Sequence, residues 1–434
     1  MGITSTLEYI HSVKWQGSKP GLERTRELLS ALGNPEKSLR FVHIAGTNGK
    51  GSTAACIAAV LIKAGYRTGL YTSPYIQCFN ERIQVDGEQI SDDELESLTD
   101  EIRPAAETME DPPTEFEMIT ALAMKHFHNR NCEIVVLEVG MGGELDSTNV
   151  IGTPEVAVIT AIGLDHVNEL GPTIADIASA KAGIIKSGGD VVIYGGEREV
   201  EAVFERVSAE RGARLGKADF SRIRSLEFSL DCIKLRIEPY GLVDLPLIGE
   251  YQPKNALLAI TALELLCEKG YSISDADIKA GLGSVRWPGR FEILGRAPVF
   301  ILDGAHNPQG AGAAADSLRR HFGERKVVFV VGVLADKDVD SIIEHIAPLA
   351  EAFIAVRPDS ARAMEAPALA EKLSRYGVPV SSRDTIGGSV AEAIGRAGES
   401  GIVCALGSLY ISAAIRAAVD KQIKDNRLQI TDNR

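Results

Sequence analysis

One stretch decides the fold of this chain: Arg40-Phe41-Val42-His43-Ile44-Ala45-Gly46-Thr47-Asn48-Gly49-Lys50-Gly51-Ser52-Thr53. An apolar strand runs into a glycine-rich turn, and we expect a long apolar helix to begin at Ser52. That arrangement directs backbone N–H groups and a helix N-terminus at one point, where the phosphates of a nucleotide can bind. Lys50 would add a mobile positive charge, and the hydroxyl of Ser52 or Thr53 could reach a magnesium ion. The stretch therefore predicts an ATP-binding loop.

The loop departs from the standard P-loop pattern at two positions. The standard motif has glycine six residues before the lysine and Ser or Thr directly after it, where this chain has Ile44 and Gly51. A glycine-rich turn also occurs as a purely structural feature, since glycine fits tight turns without strain. A lysine flanked by glycines at a helix start is costly for packing alone, which favours the phosphate-binding interpretation.

The length of 434 residues indicates two or three domains. Apolar strands alternate with amphipathic helices almost from end to end, which predicts an α/β fold with a mainly parallel sheet. The pattern of apolar and polar residues changes near residues 286–290, before a shorter α/β unit begins. We therefore expect a large P-loop-type nucleotide-binding domain over residues 1–293 and a smaller α/β domain over residues 294–434.

The expected elements follow from this periodicity. In the first domain the expected strands are 40–45, 68–71, 134–139, 156–161 and 191–194, with helices at 53–64, 115–129 and 253–269. Residues 226–238 and 242–248 alternate like antiparallel strands, and Ser91 to Glu94 is typical of a capping box. In the second domain we expect strands 299–302, 326–331, 352–356 and 402–406, helices 312–321, 339–349 and 411–419, and a fraying polar tail after Asp420.

Charge and cysteine content restrict the partners and the compartment. The formal net charge of −14 argues against a nucleic-acid partner, because duplex binding needs a broad basic face. Any acidic ligand must therefore meet a local cluster of cations and backbone donors. The six cysteines form no Cys-x-x-Cys pair, which fits a reducing compartment. With no apolar run of membrane-spanning length and no signal-peptide pattern, we predict a cytoplasmic protein without a membrane partner. We also expect a monomer without a nucleic-acid partner.

Three further polar residues are expected at the same sheet edge as Lys50, because ligands bind beyond the carboxyl ends of parallel strands. Glu138 ends one strand and could ligate magnesium, or instead cap a helix or form a salt bridge. Ser73 ends another strand, although serine before proline is also a common turn. His166 follows a third strand and could bind a metal or orient a phosphate, or be a satisfied structural residue.

Further candidates lie outside the strand ends of the first domain. Lys181 lies in an apolar setting, where it either extends to solvent or is held near the site for its charge, and the pattern does not decide between these. Asp303 ends the first strand of the second domain and could bind ribose hydroxyls, while His306 could reach the cleft between the domains. Arg290 could place its guanidinium on a phosphate when the domains close. His43, inside a strand, is predicted to be a core residue.

Taken together, seven segments resemble the folylpolyglutamate synthase/dihydrofolate synthase family, which belongs to the Mur-ligase-like ATP-dependent amide ligases. They occur in family order over nearly the whole chain: 46–53 (GTNGKGST), 137–149 (LEVGMGGELDSTN), 163–166 (GLDH), 181–184 (KAGI), 288–291 (PGRF), 303–308 (DGAHNP) and 407–410 (GSLY). The resemblance implies a nucleotide-binding domain followed by a smaller Rossmann-like domain. No single segment is specific, but the set is.

The resemblance also implies roles for individual residues. Those implied to hold ATP are Thr47, Asn48, Gly49, Lys50, Gly51, Ser52, Asn255, Arg290 and Asp303. Those implied to ligate magnesium are Ser73 and Glu138 for one ion and His166 for a second. Those implied to act in catalysis are Lys50, Lys181, His166 and His306, with Lys181 matching a lysine that family members carry as a carbamate. Those implied to cradle the pterin are Thr114, Glu115, Phe116, Glu117, Leu145, Asp146 and Ser147.

The activity implied is ATP-dependent ligation of L-glutamate to dihydropteroate, to a reduced folate, or to both, through an acyl phosphate. Ser147 replaces the alanine of many bifunctional members, whereas residues 114–117 keep dihydropteroate plausible as a substrate. Alternatives are a folylpolyglutamate synthase alone, a cell-wall Mur ligase, or an ATP-binding switch protein without ligase chemistry. The motif at 303–308 and the lack of a separate N-terminal UDP-binding domain argue against the cell-wall reading.

Overall fold

The structure is a computed structural model, and it describes residues 2–12, 21–383 and 385–432. The elements of the first part are α1 (Ile3–Ser12), α2 (Glu23–Ala31), β1 (Phe41–Ala45), α3 (Lys50–Lys63), β2 (Thr68–Tyr71), β3 (Ile83–Val85), β4 (Glu88–Gln89), α4 (Asp92–Thr108), α5 (Glu115–Asn129), β5 (Ile134–Glu138), β6 (Val156–Ile159), α6 (Val167–Leu170), α7 (Ile174–Ala182), β7 (Asp190–Ile193), α8 (Arg198–Glu210), β8 (Arg214–Lys217), β9 (Ile223–Phe228), β10 (Ile233–Ile237), β11 (Gly241–Leu245), α9 (Gln252–Glu268) and α10 (Asp275–Ser284). Those of the second part are β12 (Glu292–Arg296), β13 (Val299–Leu302), α11 (Pro308–Phe322), β14 (Val327–Val331), α12 (Val339–Ile346), β15 (Ala350–Ala355), α13 (Ala366–Ser374), β16 (Val380–Ser382), α14 (Ile386–Ala397), β17 (Ile402–Leu406) and α15 (Ser412–Asp432).

The largest sheet has the strand order β4-β3-β2-β5-β1-β6-β7-β8. All neighbours from β2 to β8 pair in parallel, whereas β3 and β4 form an antiparallel edge. Strand β1 lies in the middle and every one of its residues is buried, which is why its sequence is continuously apolar apart from His43. The prediction of an α/β fold with a mainly parallel sheet is confirmed.

Helix α3 begins at Lys50, two residues before the predicted start at Ser52. Gly49 precedes it with φ of +92°, a left-handed conformation that glycine adopts without strain. The turn into the helix is therefore completed by Gly49, which leaves Lys50 free to take helical geometry. This brings the lysine into the first turn, beside the exposed backbone N–H groups of the helix N-terminus.

A three-stranded antiparallel sheet, β11-β10-β9, follows the large one. The prediction of one alternating strand over 226–238 is wrong, because a turn divides that segment into β9 and β10. Ser229 closes the turn: its hydroxyl accepts from the backbone N–H of Cys232 at 3.1 Å, and its own N–H donates to the Cys232 carbonyl at 3.1 Å. Serine side chains favour such turns by bonding to nearby backbone.

The third sheet has the order β12-β13-β17-β14-β15-β16, parallel except for the pair β12–β13. The four strands predicted here all exist. The prediction of a fraying tail after Asp420 is wrong, because α15 continues to Asp432. Residues 421–428 are rich in Lys, Gln and Arg, which have high helix propensity.

Helix α11 fastens the second part of the chain to the first. The His321 ring stacks on Phe291 with centroids 5.5 Å apart, and its Nε2 lies 2.8 Å from the carbonyl of Ile248. Ser317 accepts a hydrogen bond from the backbone N–H of Glu250 at 2.9 Å. The carboxyl ends of β1 and β13 consequently face each other across a cleft. Within the described residues, no helix has the length and apolar character needed to cross a bilayer.

Candidate active site

A cavity of about 260 Å³ occupies this cleft and draws residues from both parts of the chain. Every residue that the sequence predicts for ATP, for magnesium or for catalysis lines it: Thr47, Asn48, Gly49, Lys50, Gly51, Ser52, Ser73, Glu138, His166, Lys181, Asn255, Arg290, Asp303 and His306. None of the residues predicted to cradle the pterin is among its lining residues. The structure thus brings together the residues predicted for ATP, magnesium and catalysis, whereas the residues predicted for the pterin lie outside the lining of this cavity.

The loop after β1 is held rigidly against the strand beside it. The backbone N–H of Thr47 donates to the Ala161 carbonyl at 3.0 Å, and its hydroxyl donates to the Gly163 carbonyl at 3.0 Å. Gly46 has φ of +149°, and a Cβ there would lie 1.8 Å from the hydroxyl oxygen of Thr160. Only glycine fits that approach. The loop is therefore positioned by the sheet before any ligand arrives.

Lys50 and Glu138 face each other in the cavity. The Nζ of Lys50 lies 4.0 Å from Oε1 of Glu138 and donates to the Thr47 carbonyl at 3.3 Å. Glu138 is 4% exposed, and its Oε2 accepts from the backbone N–H of Ser73 at 3.3 Å. Burial raises the pKa of Glu138, and the charge of Lys50 opposes that rise. The carboxylate is thus a salt-bridging residue here, and it keeps lone pairs available to a cation.

Asp165 is the centre of a charged network that joins the two parts of the chain. Its Oδ1 lies 2.5 Å from Nζ of Lys337, and its Oδ2 lies 3.5 Å from Nε2 of His306 and accepts from Asn307 at 3.1 Å. Although burial alone would raise it, the hydrogen bond and charge of His306, with the charge of Lys337, hold the pKa of Asp165 well below its usual range. The carboxylate is therefore ionised and anchors the second part.

His166 follows Asp165 in a left-handed conformation, with φ of +51°. Burial lowers the pKa of His166 to about 4, against the opposing effect of Asp165. The imidazole is therefore neutral near pH 7, which is the form that binds metals.

Lys181 extends from the last turn of α7 into the cavity rather than to solvent. The residue is 5% exposed, and its Nζ donates to the Gly46 carbonyl at 2.9 Å. Burial, helped by the charge of Lys50, lowers the pKa of Lys181 to about 7. A substantial fraction of this amine is therefore uncharged at neutral pH. The structure decides the question that the sequence left open in favour of a lysine held at the site.

The carboxylate of Asp303 braces the connection between the two parts. It accepts from the backbone N–H of Phe291 at 2.8 Å, from that of Ala305 at 2.7 Å and from the hydroxyl of Tyr251 at 3.1 Å. Its first role is thus to shape the loop that carries Arg290. Tyr251 directly precedes α9, the helix that brings Asn255 to the cavity.

Contacts between the phosphate loop and α11 were missed by the sequence reasoning. The Asn48 side chain donates to Asn307 at 3.2 Å and to Gln309 at 2.6 Å. Lys337 was missed as well. It lies in the segment after β14, at the carboxyl end of a parallel strand, where the rule used for Ser73 and Glu138 would have flagged it.

The first segment predicted to cradle the pterin has structural partners. Thr114 caps α5 in a reciprocal pair with Glu117, whose carboxylate also accepts two bonds from Arg24 at 3.0 and 2.8 Å. Glu115 pairs with His11 at 3.1 Å, and the ring of Phe116 fills the space beside Gly140. The pairing of Arg24 with Glu117 was not identified from the sequence, since no local pattern marks a partner far along the chain.

The second segment predicted to cradle the pterin is buried except at its start. Leu145 is 54% exposed, which is unusual for a large apolar side chain. Asp146 accepts from the Met141 backbone at 2.9 Å and from the Thr148 hydroxyl at 2.5 Å, and burial raises its pKa. Ser147 shares a 3.0 Å hydrogen bond with Thr120.

The comparisons with known proteins agree on one family. The description "Mur ligase middle domain" matches residues 44–263, and "Mur ligase, glutamate ligase domain" matches residues 289–409. A dihydrofolate synthase/folylpolyglutamate synthase of Bacillus subtilis is 37% identical over 94% of this chain and 97% of its own length. The chain belongs to the folylpolyglutamate synthase/dihydrofolate synthase family of Mur ligases. The predicted class, an ATP-dependent acid–amino-acid ligase, is thereby confirmed.

Solved structures of this family superpose on nearly the whole chain. The Mycobacterium tuberculosis folylpolyglutamate synthase complexed with ADP has a TM-score of 0.89 at 33% identity, covering 96% of this chain and 98% of its own. A structure named FPGS-AMPPCP-folate complex has a TM-score of 0.85 at 33% identity, covering 96% and 99%. The two-part α/β architecture predicted from the sequence is therefore the architecture of the family.

Proposed function

We propose that this enzyme uses ATP to join the amine of L-glutamate to the carboxylate of dihydropteroate, of a reduced folyl-polyglutamate, or of both. One observation carries the proposal: the phosphate loop, Glu138, Lys181 and Arg290 converge from both parts of the chain on one cavity. A relative crystallised with an ATP analogue and folate, and one with ADP, support the choice of substrates. In this proposal the boundary near residue 293 separates an ATP-binding domain from a glutamate ligase domain.

The reaction follows from the poor reactivity of a carboxylate toward an amine. Its carbonyl carbon is electron-rich and its leaving group is poor, so transfer of the terminal phosphoryl group of ATP is needed to form an acyl phosphate. Lys50 lies in the first turn of α3, where its charge and the backbone N–H groups neutralise the phosphoryl oxygens. Arg290 adds a second cation from the connection between the two parts. The glutamate amine then attacks the acyl carbon and phosphate leaves.

Glu138, Ser73 and His166 fit the proposed magnesium sites. Within the part of the chain that the structure describes, no three His, Cys, Asp or Glu side chains are close enough to hold a metal. A cation beside Glu138 would therefore take its other ligands from hydroxyls, water and phosphate oxygens, which is the set that magnesium prefers. When bound, magnesium neutralises charge on the transferred phosphoryl group.

Lys181 fits the proposed carbamate. A carbamate forms from the uncharged amine, and burial already brings the pKa of Lys181 to about 7. The modification would replace a buried cation beside Lys50 by an anion and thus remove the repulsion between them. His306 and Asp165 meet at the cleft between the parts, where closure would exclude the water that hydrolyses an acyl phosphate.

Residues 114–117 and 145–147 lie outside the lining of the central cavity, so in this proposal they hold the pterin end of a substrate whose carboxylate reaches inward. Buried Glu117 and Asp146 then act by shaping the loops, while exposed Leu145 offers apolar surface to a ring. The cytoplasmic location and the monomeric state remain predictions. No observation favours a cell-wall substrate or a switch protein.

The test is ADP release by purified protein with ATP, magnesium and glutamate, with dihydropteroate or tetrahydrofolate added in turn. Stimulation by both pterins would indicate a bifunctional enzyme, and stimulation by tetrahydrofolate alone a folylpolyglutamate synthase. Stimulation by neither pterin would refute the proposal. Omission of glutamate is the control, because ADP release that does not need glutamate would be simple ATP hydrolysis.

A further inference from the structure

A second cavity, of about 390 Å³, lies on the outer side of α3. Its floor is the small-residue face of that helix, formed by Ala55, Ala58, Ala59 and Ile62, and its walls are the segments 72–77 and 284–288. Pro74 is the one described residue that it shares with the lining of the catalytic cavity. We call it the α3 cavity. Its volume falls in the range of small-molecule sites.

Two cations that form no ion pair with a described residue stand at the rim of the α3 cavity. Lys63 and Arg286 are exposed, and neither has a carboxylate within ion-pair distance in the described ranges. Among the residues that the structure describes, Arg286 donates a hydrogen bond only to the backbone carbonyl of Val285, at 2.9 Å. In a chain with a net charge of −14, two unpaired cations beside one opening form a local attraction for an anion.

Glu81, a carboxylate in the lining of this cavity, does not neutralise Lys63 and Arg286. Glu81 is the one acidic side chain among the described lining residues, and its two oxygens accept from the backbone N–H groups of Ile76, Gln77 and Cys78 at 2.9 to 3.3 Å. Those bonds hold Glu81 within its own loop. Lys63 and Arg286 therefore remain available to a ligand.

The interior of the cavity suits an aromatic body. Trp287 forms part of its wall, and the ring packs so closely on α3 that a Cβ at Gly51 would lie 2.5 Å from its Cζ2. The alanines of α3 line the floor of the cavity beside this ring. A planar ring could lie on that floor in contact with Trp287, since aromatic rings favour stacked or edge contacts with one another.

We propose that the α3 cavity binds a small aromatic carboxylate, with its ring against Trp287 and its carboxylate at Lys63 and Arg286. The occupant would touch both segments that continue into the catalytic cavity, because Ser73 follows Thr72 and Arg290 follows Trp287 closely. The proposal rests on the lining of this cavity and is independent of the substrate proposed for the catalytic one.

Trp287 gives the test its reporter. The chain has two tryptophans, so a Trp15→Phe variant leaves Trp287 as the single emitter. We expect 3-phenylpropionate to change its emission saturably in the presence of saturating AMPPCP, and the uncharged 3-phenylpropionamide to bind about tenfold more weakly. In the same background, Lys63→Gln with Arg286→Gln should weaken the carboxylate about tenfold and leave the amide unchanged. Lys234→Gln, an exposed lysine on the small sheet, is the matched control and should have no effect.

Three results would overturn the proposal: no saturable change with the carboxylate, equal affinity for carboxylate and amide, or unchanged affinity in the double glutamine variant. Loss of the signal when AMPPCP is added would place the probe in the catalytic cavity and would also overturn it. The charge variants alter only exposed side chains, so circular dichroism should show an unchanged fold.

Discussion

The buried amine of Lys181 should make the free energy of unfolding of this protein depend on pH. Its pKa is about 7 in the folded protein, whereas an unfolded lysine titrates near 10.5. Between these values the unfolded state binds one more proton than the folded state, so this group makes the free energy of unfolding rise with pH by about 1.4 kcal/mol per unit. Below pH 7 both states are protonated, and the folded state carries the full cost of burying the charge.

The perturbation is Lys181→Met, which keeps an unbranched side chain only one atom shorter and removes the titrating group. From about pH 6 to about pH 9 the wild-type protein should gain about 2–3 kcal/mol relative to the variant. The assay is urea unfolding followed by circular dichroism, in buffer freed of carbon dioxide and metal so that no carbamate forms. Comparison with the variant at each pH cancels the contributions of all other groups.

If the unfolding free energies of the two proteins instead shift in parallel over this pH range, Lys181 is charged throughout or solvated. A relative gain in the opposite direction would mean that the folded protein stabilises the ammonium. In either case the uncharged amine needed for the proposed carbamate would not exist at neutral pH.

Further predictions concern the phosphate loop, the network between the two parts and the packing of α7. Lys50→Ala should abolish glutamate-dependent ADP release while circular dichroism stays unchanged; activity within a few-fold of wild type would show that Lys50 does not hold the phosphates. Lys337→Met should lower the free energy of unfolding by about 3 kcal/mol, because it leaves the buried charge of Asp165 without its closest partner. Adding Asp165→Asn should recover part of that loss, and no recovery would argue against the ion pair. Gly143→Ala should reduce turnover, because the added Cβ would lie 2.8 and 2.9 Å from two carbonyl oxygens of α7, the helix that carries Lys181. Normal turnover would show that α7 can shift to accept the methyl group without displacing Lys181.

Much of the lining of the central cavity could be predicted because its residues occupy a recognisable topological position. Lys50, Ser73, Glu138 and His166 all follow the ends of parallel strands, and the parallel sheet places strand ends at one edge whatever the rest of the chain does. Their position at strand ends was therefore sufficient to place them at one edge of the sheet. The family resemblance supplied Asn255, whose position depends on a helix, and the possible carbamate on Lys181.

What the sequence could not show are pairings between distant residues. The contacts of Asp165 with Lys337 and of Glu117 with Arg24 depend on how whole elements pack, and no local pattern marks a partner far along the chain. The turn at Ser229 and the early start of α3 were missed for a different reason. Both depend on one or two backbone angles, and element boundaries are decided there rather than by hydrophobic periodicity.

An isotope measurement shows whether the enzyme forms an acyl phosphate. The pterin substrate is prepared with oxygen-18 in its carboxylate and turned over with ATP and glutamate, and the released phosphate is examined by phosphorus-31 NMR. If the carboxylate is phosphorylated, the oxygen that bridges carbon and phosphorus leaves with the phosphate, so each phosphate should carry one labelled oxygen. Phosphate without label, released in step with product, would contradict the account.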